Sequence, residues 1–105
     1  MRPTAKYVPM DRFMVTVTKA GEGAGIELVQ YENEIYISAV NNGPFYETSV
    51  DKGDRILSIN GKKVKDIKTV AFARELMDNK DKITLFVMRP DPVKDRGYKW
   101  VMSNC

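Results

Sequence analysis

Gly53-Asp54-Arg55-Ile56-Leu57-Ser58-Ile59-Asn60-Gly61 is a whole supersecondary unit written in one stretch. The Gly-Asp pair turns the chain into a strand whose Ile56 and Ile59 are branched and apolar, and Asn60-Gly61 supplies the positive φ of a tight reversal. Val64 carries the chain on beyond the turn. Alone, the stretch specifies a hairpin inside a β-rich domain. Upstream lies Gly23-Ala24-Gly25-Ile26, a glycine-rich loop running straight into the apolar strand Ile26-Glu27-Leu28-Val29-Gln30.

Working outward, Arg12 to Thr18 alternates, with Phe13, Val15 and Val17 on one face and Met14, Thr16 and Thr18 on the other; this is the period of a half-buried strand. Lys19 to Gly25 is a loop, and the strand after it turns at Tyr31-Glu32-Asn33 into a third, Glu34 to Val40, where Ile35, Ile37 and Ala39 share a face. Asn41-Asn42-Gly43-Pro44 breaks the sheet. Phe45 to Val50 is short enough for one or two helical turns. Asp66 is the expected N-cap of a helix from about Ile67 to Asn79, on which Thr69, Phe72, Ala73, Leu76 and Met77 fall on one side. Asp81 to Arg89 alternates again, with Ile83, Leu85 and Val87 opposite Thr84, Phe86 and Met88. The expected organisation is a leader over 1–11, a domain over 12–89, and an extension over 90–105 that packs on the domain or frays, or else serves as an interaction segment.

A chain of 105 residues has room for one domain, and 43% hydrophobic content is ordinary for a globular core. Seventeen basic residues are mixed with fourteen acidic ones, as on a solvated surface, which gives no support to nucleic-acid binding. Histidine is absent, which removes Ser-His-Asp and Cys-His catalysis and most zinc sites together. No metal, cofactor or enzymatic role is expected. The single cysteine, Cys105, excludes a disulfide within the chain. No signal-like or membrane-spanning apolar run is present, so the sequence reads as a soluble, cytoplasmic protein.

The order strand, glycine loop, two strands, short helix, Gly-Asp strand, Asn-Gly turn, long helix, strand resembles the PDZ domain family from about Arg12 to Arg89. The Gly53–Gly61 string is the more specific marker; Gly23-Ala24-Gly25-Ile26 stands where the family usually has Gly-Leu-Gly-Phe. The resemblance implies an α+β fold, a small, partly closed, mostly antiparallel sheet of five to six strands capped by two helices. It also implies a non-catalytic adaptor that binds the carboxy-terminal tails of other proteins. In that reading the N–H groups of Ala24, Gly25 and Ile26 receive the terminal carboxylate, in a loop that Gly23 and Gly25 keep open, with Lys19 nearby. The tail lies beside Ile26-Glu27-Leu28-Val29 and extends the sheet. Thr69, Ala73 and Leu76 on the helix form the other wall: Thr69 for the ligand's third-last residue, Leu76 at the floor of the last side chain's pocket.

The sequence departs from the family in ways that leave the ligand class open. Ala24 replaces a leucine and leaves more room around the terminal side chain; Glu22 puts a negative charge before a carboxylate-binding loop. Thr69 stands where many members have a histidine, and Phe45 and Ser49 stand where small residues are common. Glu47-Thr48-Ser49-Val50 spells a tail such domains bind, but it is internal and has no free carboxylate. Ser103-Asn104-Cys105 is tail-like, which raises self-association through the chain's own end as a further expectation. An anionic membrane surface, met by Lys94, Arg96, Lys99 and Trp100, and a purely structural self-associating role are the alternatives.

Overall fold

The computed structural model describes residues 10–19 and 23–105; the leader up to Pro9 and the charge at Glu22 lie outside the described residues. Six strands form one sheet: β1 (Arg12–Thr18), β2 (Ile26–Tyr31), β3 (Glu34–Val40), β4 (Arg55–Ile59), β5 (Lys62–Lys63) and β6 (Lys82–Met88). The path through it is β1-β6-β4-β3-β2, with β5 appended to β4, and every pairing is antiparallel. β1 and β2 therefore end that path. Alternation in β1 does what its period demands: Phe13, Val15 and Val17 are half-buried and the residues between them are exposed. Asn60 and Gly61 both hold positive φ (51° and 83°), the geometry of a two-residue hairpin turn. Asn60 also reaches β6, its side-chain oxygen accepting from the Thr84 N–H at 2.8 Å.

The core is built from the inward positions of this sheet. Ile35, Ile37, Ile56, Ile59, Ile83, Leu85 and Val87 are at most 1% exposed, and Phe45 and Ala73 close over them at 0%. Burying an aliphatic side chain of this size contributes about 1.5–3 kcal/mol. One charged pair is sunk into the structure: Asp54 and Arg89, 1% and 3% exposed, with 3.3 Å between Asp54 Oδ1 and Arg89 Nε. Asp54 Oδ2 accepts from the Asp51 N–H at 2.8 Å, and Arg89 donates to the Ser49 carbonyl and stacks over the Phe13 ring at 5.0 Å.

The helices depart from the sequence reading in three places. The stretch Phe45 to Val50 is a string of turns rather than a helix: Tyr46 N–H bonds Gly43 C=O at 3.0 Å and Thr48 N–H bonds Phe45 C=O at 3.1 Å. The Thr48 hydroxyl also takes the Phe45 carbonyl at 2.7 Å, a side-chain bond that competes with helix continuation. The expected long helix is two helices, α1 (Val64–Ile67) and α2 (Val70–Asp78). Between them Lys68 holds φ 69° and ψ −35°, and the Thr69 N–H bonds the Ile67 C=O at 2.8 Å. This is a γ-turn with positive φ, a rare and strained form. The N-cap of α2 is consequently Thr69, whose hydroxyl accepts from the Phe72 N–H at 3.1 Å, while Asp66 sits inside α1.

The extension carries the third difference, a helix α3 (Arg96–Asn104). Asp95 caps it, accepting from the Tyr98 N–H at 2.8 Å. The helix lies on β3 and β2. Val101 is fully buried, Tyr31 and Trp100 meet with ring centroids 5.7 Å apart, and Tyr36 donates its phenol proton to Asp95 at 2.7 Å. Gly97 makes the close approach possible, since a Cβ there would lie 2.5 Å or less from the Tyr36 ring and hydroxyl. Lys52 donates to the Cys105 carbonyl at the far end of the helix.

Candidate functional site

The glycine loop ends on two residues of positive φ, Gly23 at 68° and Gly25 at 74°. Gly25 is fixed from behind. Its carbonyl accepts from the Asn41 N–H at 2.7 Å, and a Cβ built on it would stand 3.2 Å from the Gly43 Cα. The loop backbone is thus pressed against the Asn41–Gly43 turn, where a Cβ would force the neighbour to give way. Among the described residues, the N–H groups of Ala24 and Gly25 have no acceptor. Successive unpaired N–H groups at such a corner form a concavity of positive potential suited to an anion.

β2 leaves this loop as a sheet edge. β3 pairs it on one side, from Ile26↔Val40 to Tyr31↔Glu34 with a register shift between Glu27 and Leu28. Its other main-chain edge has no strand partner in the sheet. Ile26 and Leu28 point inward (3% and 8% exposed) and join Ala24 and Ala73 in the core cluster, with Val70, Phe72 and Leu76 packed against it. Glu27 points outward, and its carboxylate accepts from the Asn41 side-chain amide at 3.2 Å. Val29 is half-buried.

The structure therefore gathers Ala24, Ile26, Leu28, Ala73 and Leu76 along one seam between β2 and α2. Thr69 stands exposed at the start of α2; its oxygen is used as the helix cap, which leaves the hydroxyl proton to donate. Lys19 is placed at the opposite end, where its ammonium donates to the Asp78 carbonyl at 2.7 Å and lies favourably at the negative pole of α2. Val70 and Phe72, absent from the sequence reading of the groove, also pack against this core. Thr69 as a potential N-cap was the signal that could have placed them. Phe72 also carries the Lys62 ammonium 5.5 Å above its ring centroid.

An open cavity of about 780 Å³ lies elsewhere, between β4, β5 and α1, and shares no residue with the seam. Its volume alone does not make it the site: a strand-adding ligand uses an edge and a shallow groove, and needs no enclosed space.

A family model for the PDZ domain matches residues 14–88. Among solved structures, the fourth PDZ domain of MUPP1 superposes with a TM-score of 0.68 at 20% identity, over 81% of this chain and 81% of that one. The solution structure of the third PDZ domain of human hDlg5 (KIAA0583) gives a TM-score of 0.69 at 26% identity, over 90% of this chain and 83% of that one. No match is found among curated protein sequences.

Proposed function

This chain belongs to the PDZ domain family, which makes it a protein-interaction module, and we propose that its seam between β2 and α2 takes the carboxy-terminal tail of a partner protein. The observation that carries this reading is the free edge of β2 leaving a loop whose Ala24 and Gly25 N–H groups lack acceptors. A tail laid antiparallel to β2 adds one more strand, and its main-chain groups pair with an edge that is otherwise solvated. Its carboxylate closes the row by accepting from Ala24, Gly25 and Ile26. Alternation along the tail then sends the last and third-last side chains toward α2. The last meets Ala24, Ile26, Leu28, Ala73 and Leu76. The third-last meets the Thr69 hydroxyl. On this reading the site acts by recognition and needs no bond-breaking chemistry.

The test is a tail selected from a library of free carboxy-terminal peptides, compared with its amidated form. Amidation removes the charge and one acceptor, so binding should weaken by about tenfold or more, the worth of one charge-assisted hydrogen bond. Equal affinity for both forms would overturn the carboxylate assignment.

A further inference from the structure

We propose that the cavity between β4, β5 and α1 is a second binding site, for a polyanionic, phosphate-bearing ligand. The cavity is about 780 Å³, within the range of small-molecule sites. Arg55, Lys63, Lys65 and Lys68 surround it, and Leu57 and Phe86 give it an apolar wall. One acid, Glu34, lines it as well. With these four cations and Glu34 set aside, the rest of the chain holds thirteen basic and thirteen acidic residues. The whole formal excess of +3 is thus gathered around one cavity.

The three lysines are not used up by the fold. Among the described residues, Lys63, Lys65 and Lys68 form no ion pair. Arg55 is partly engaged, 3.8 Å from Glu34 and 3.7 Å from Asp95 with its Nη2 donating to Met88 Sδ at 3.7 Å, but its buried Nε has no hydrogen-bond partner. Lys68 is the centre of the strained γ-turn, a position where glycine would sit at lower cost. Lysine at this position lines the cavity with a charge at the expense of backbone ease.

The ligand's charges must converge. An extended acidic peptide sends successive side chains to opposite faces, so only alternate carboxylates reach one cavity. A phosphorylated ring concentrates several anionic oxygens in one volume, which lysine ammoniums meet as point charges and arginine as a fork. The same chemistry is presented by a free sugar phosphate and by a phosphoinositide headgroup.

The test is an amide chemical-shift titration of the full chain with inositol hexakisphosphate. Shifts should concentrate on Arg55–Ser58 and Lys63–Lys68 and spare Ala24–Leu28. The variant Lys63→Ala/Lys65→Ala should bind roughly tenfold more weakly, as expected for losing charge-assisted contacts. Lys68→Gly should also bind more weakly while its melting temperature holds or rises, because the glycine relieves the turn; this separates loss of the ligand contact from loss of the fold. Lys80→Ala/Lys82→Ala, with equal charge removed from exposed positions off the cavity, should bind as the parent does. Sedimentation with phosphatidylcholine vesicles, with and without phosphoinositide, tells the sources apart. Capture only by the phosphoinositide vesicles assigns the headgroup, and binding of the soluble probe without capture assigns a free polyanion. Shifts outside the cavity, equal weakening by the Lys80/Lys82 control, or displacement of the probe by an equimolar poly-aspartate peptide would overturn the proposal.

Discussion

Gly23 and Gly25 share a positive φ, yet only Gly25 faces other backbone at close range: a Cβ on Gly23 meets nothing within 4 Å, and one on Gly25 meets Gly43 at 3.2 Å. Gly23→Ala should therefore cost only the left-handed backbone, about 1–2 kcal/mol, whereas Gly25→Ala adds crowding against a neighbour that cannot rotate away, for about 2–4 kcal/mol in all. Urea unfolding of the two variants checks the order. Asp54 gives the other prediction at this scale. Burial pushes its carboxyl up from 3.8 to about 6, against the opposing pull of the Asp51 N–H and Arg89. A folded-state value above the unfolded one means that the native state holds the proton more tightly. This contribution to stability is complete below about pH 4 and is lost as pH rises through 6, on the order of 3 kcal/mol across that window. The urea midpoint of the parent should rise relative to that of Asp54→Asn between pH 7 and pH 5. A difference independent of pH would show that Asp54 is not held in this way.

Thr69 decides where one element stops and the next begins. Removing its hydroxyl in Thr69→Ala takes the cap from α2 and should destabilise by about 1 kcal/mol, with Thr69→Ser restoring most of the loss, while Asp66→Ala should stay within about 0.5 kcal/mol. Thermal melts of the three variants distinguish the two capping assignments. The strands were legible because alternation in Arg12–Thr18 and Asp81–Arg89 leaves one reading of which side chains face inward. The break at Lys68 was not, because Thr69, Phe72, Ala73, Leu76 and Met77 keep the helical period whether or not a turn interrupts the chain before them. The burial of Ile26, Leu28 and Ala73 was legible from the apolar strand and the helical face. The ammonium of Lys19 was not, since a long side chain finds its partner, Asp78, across the fold. Helix α3 was not legible in the extension: glycine weakens a helix locally, and only the fold places Tyr36 in the space a Gly97 side chain would fill.

At the scale of the whole molecule, β2 is held between α2 on the seam side and α3, which touches it through Tyr31 and Trp100. Deleting Arg96–Cys105 strips the cover from Tyr36 and removes the buried Val101, so it should lower stability by roughly 2–4 kcal/mol. Calorimetry of the shortened chain checks this; an unchanged melt would make α3 an appendage. The open edge of β2 has a further consequence, in time rather than in energy. Main-chain pairing at an edge is the same for every extended chain, and a few tail residues bury little surface, which places such contacts at the weak end of protein association. With association near 10⁶ M⁻¹s⁻¹ and micromolar dissociation constants, a bound tail would stay for about one second. A groove that took tails as proposed would sample its partners and release them, and lasting attachment would come from several such grooves engaged at once.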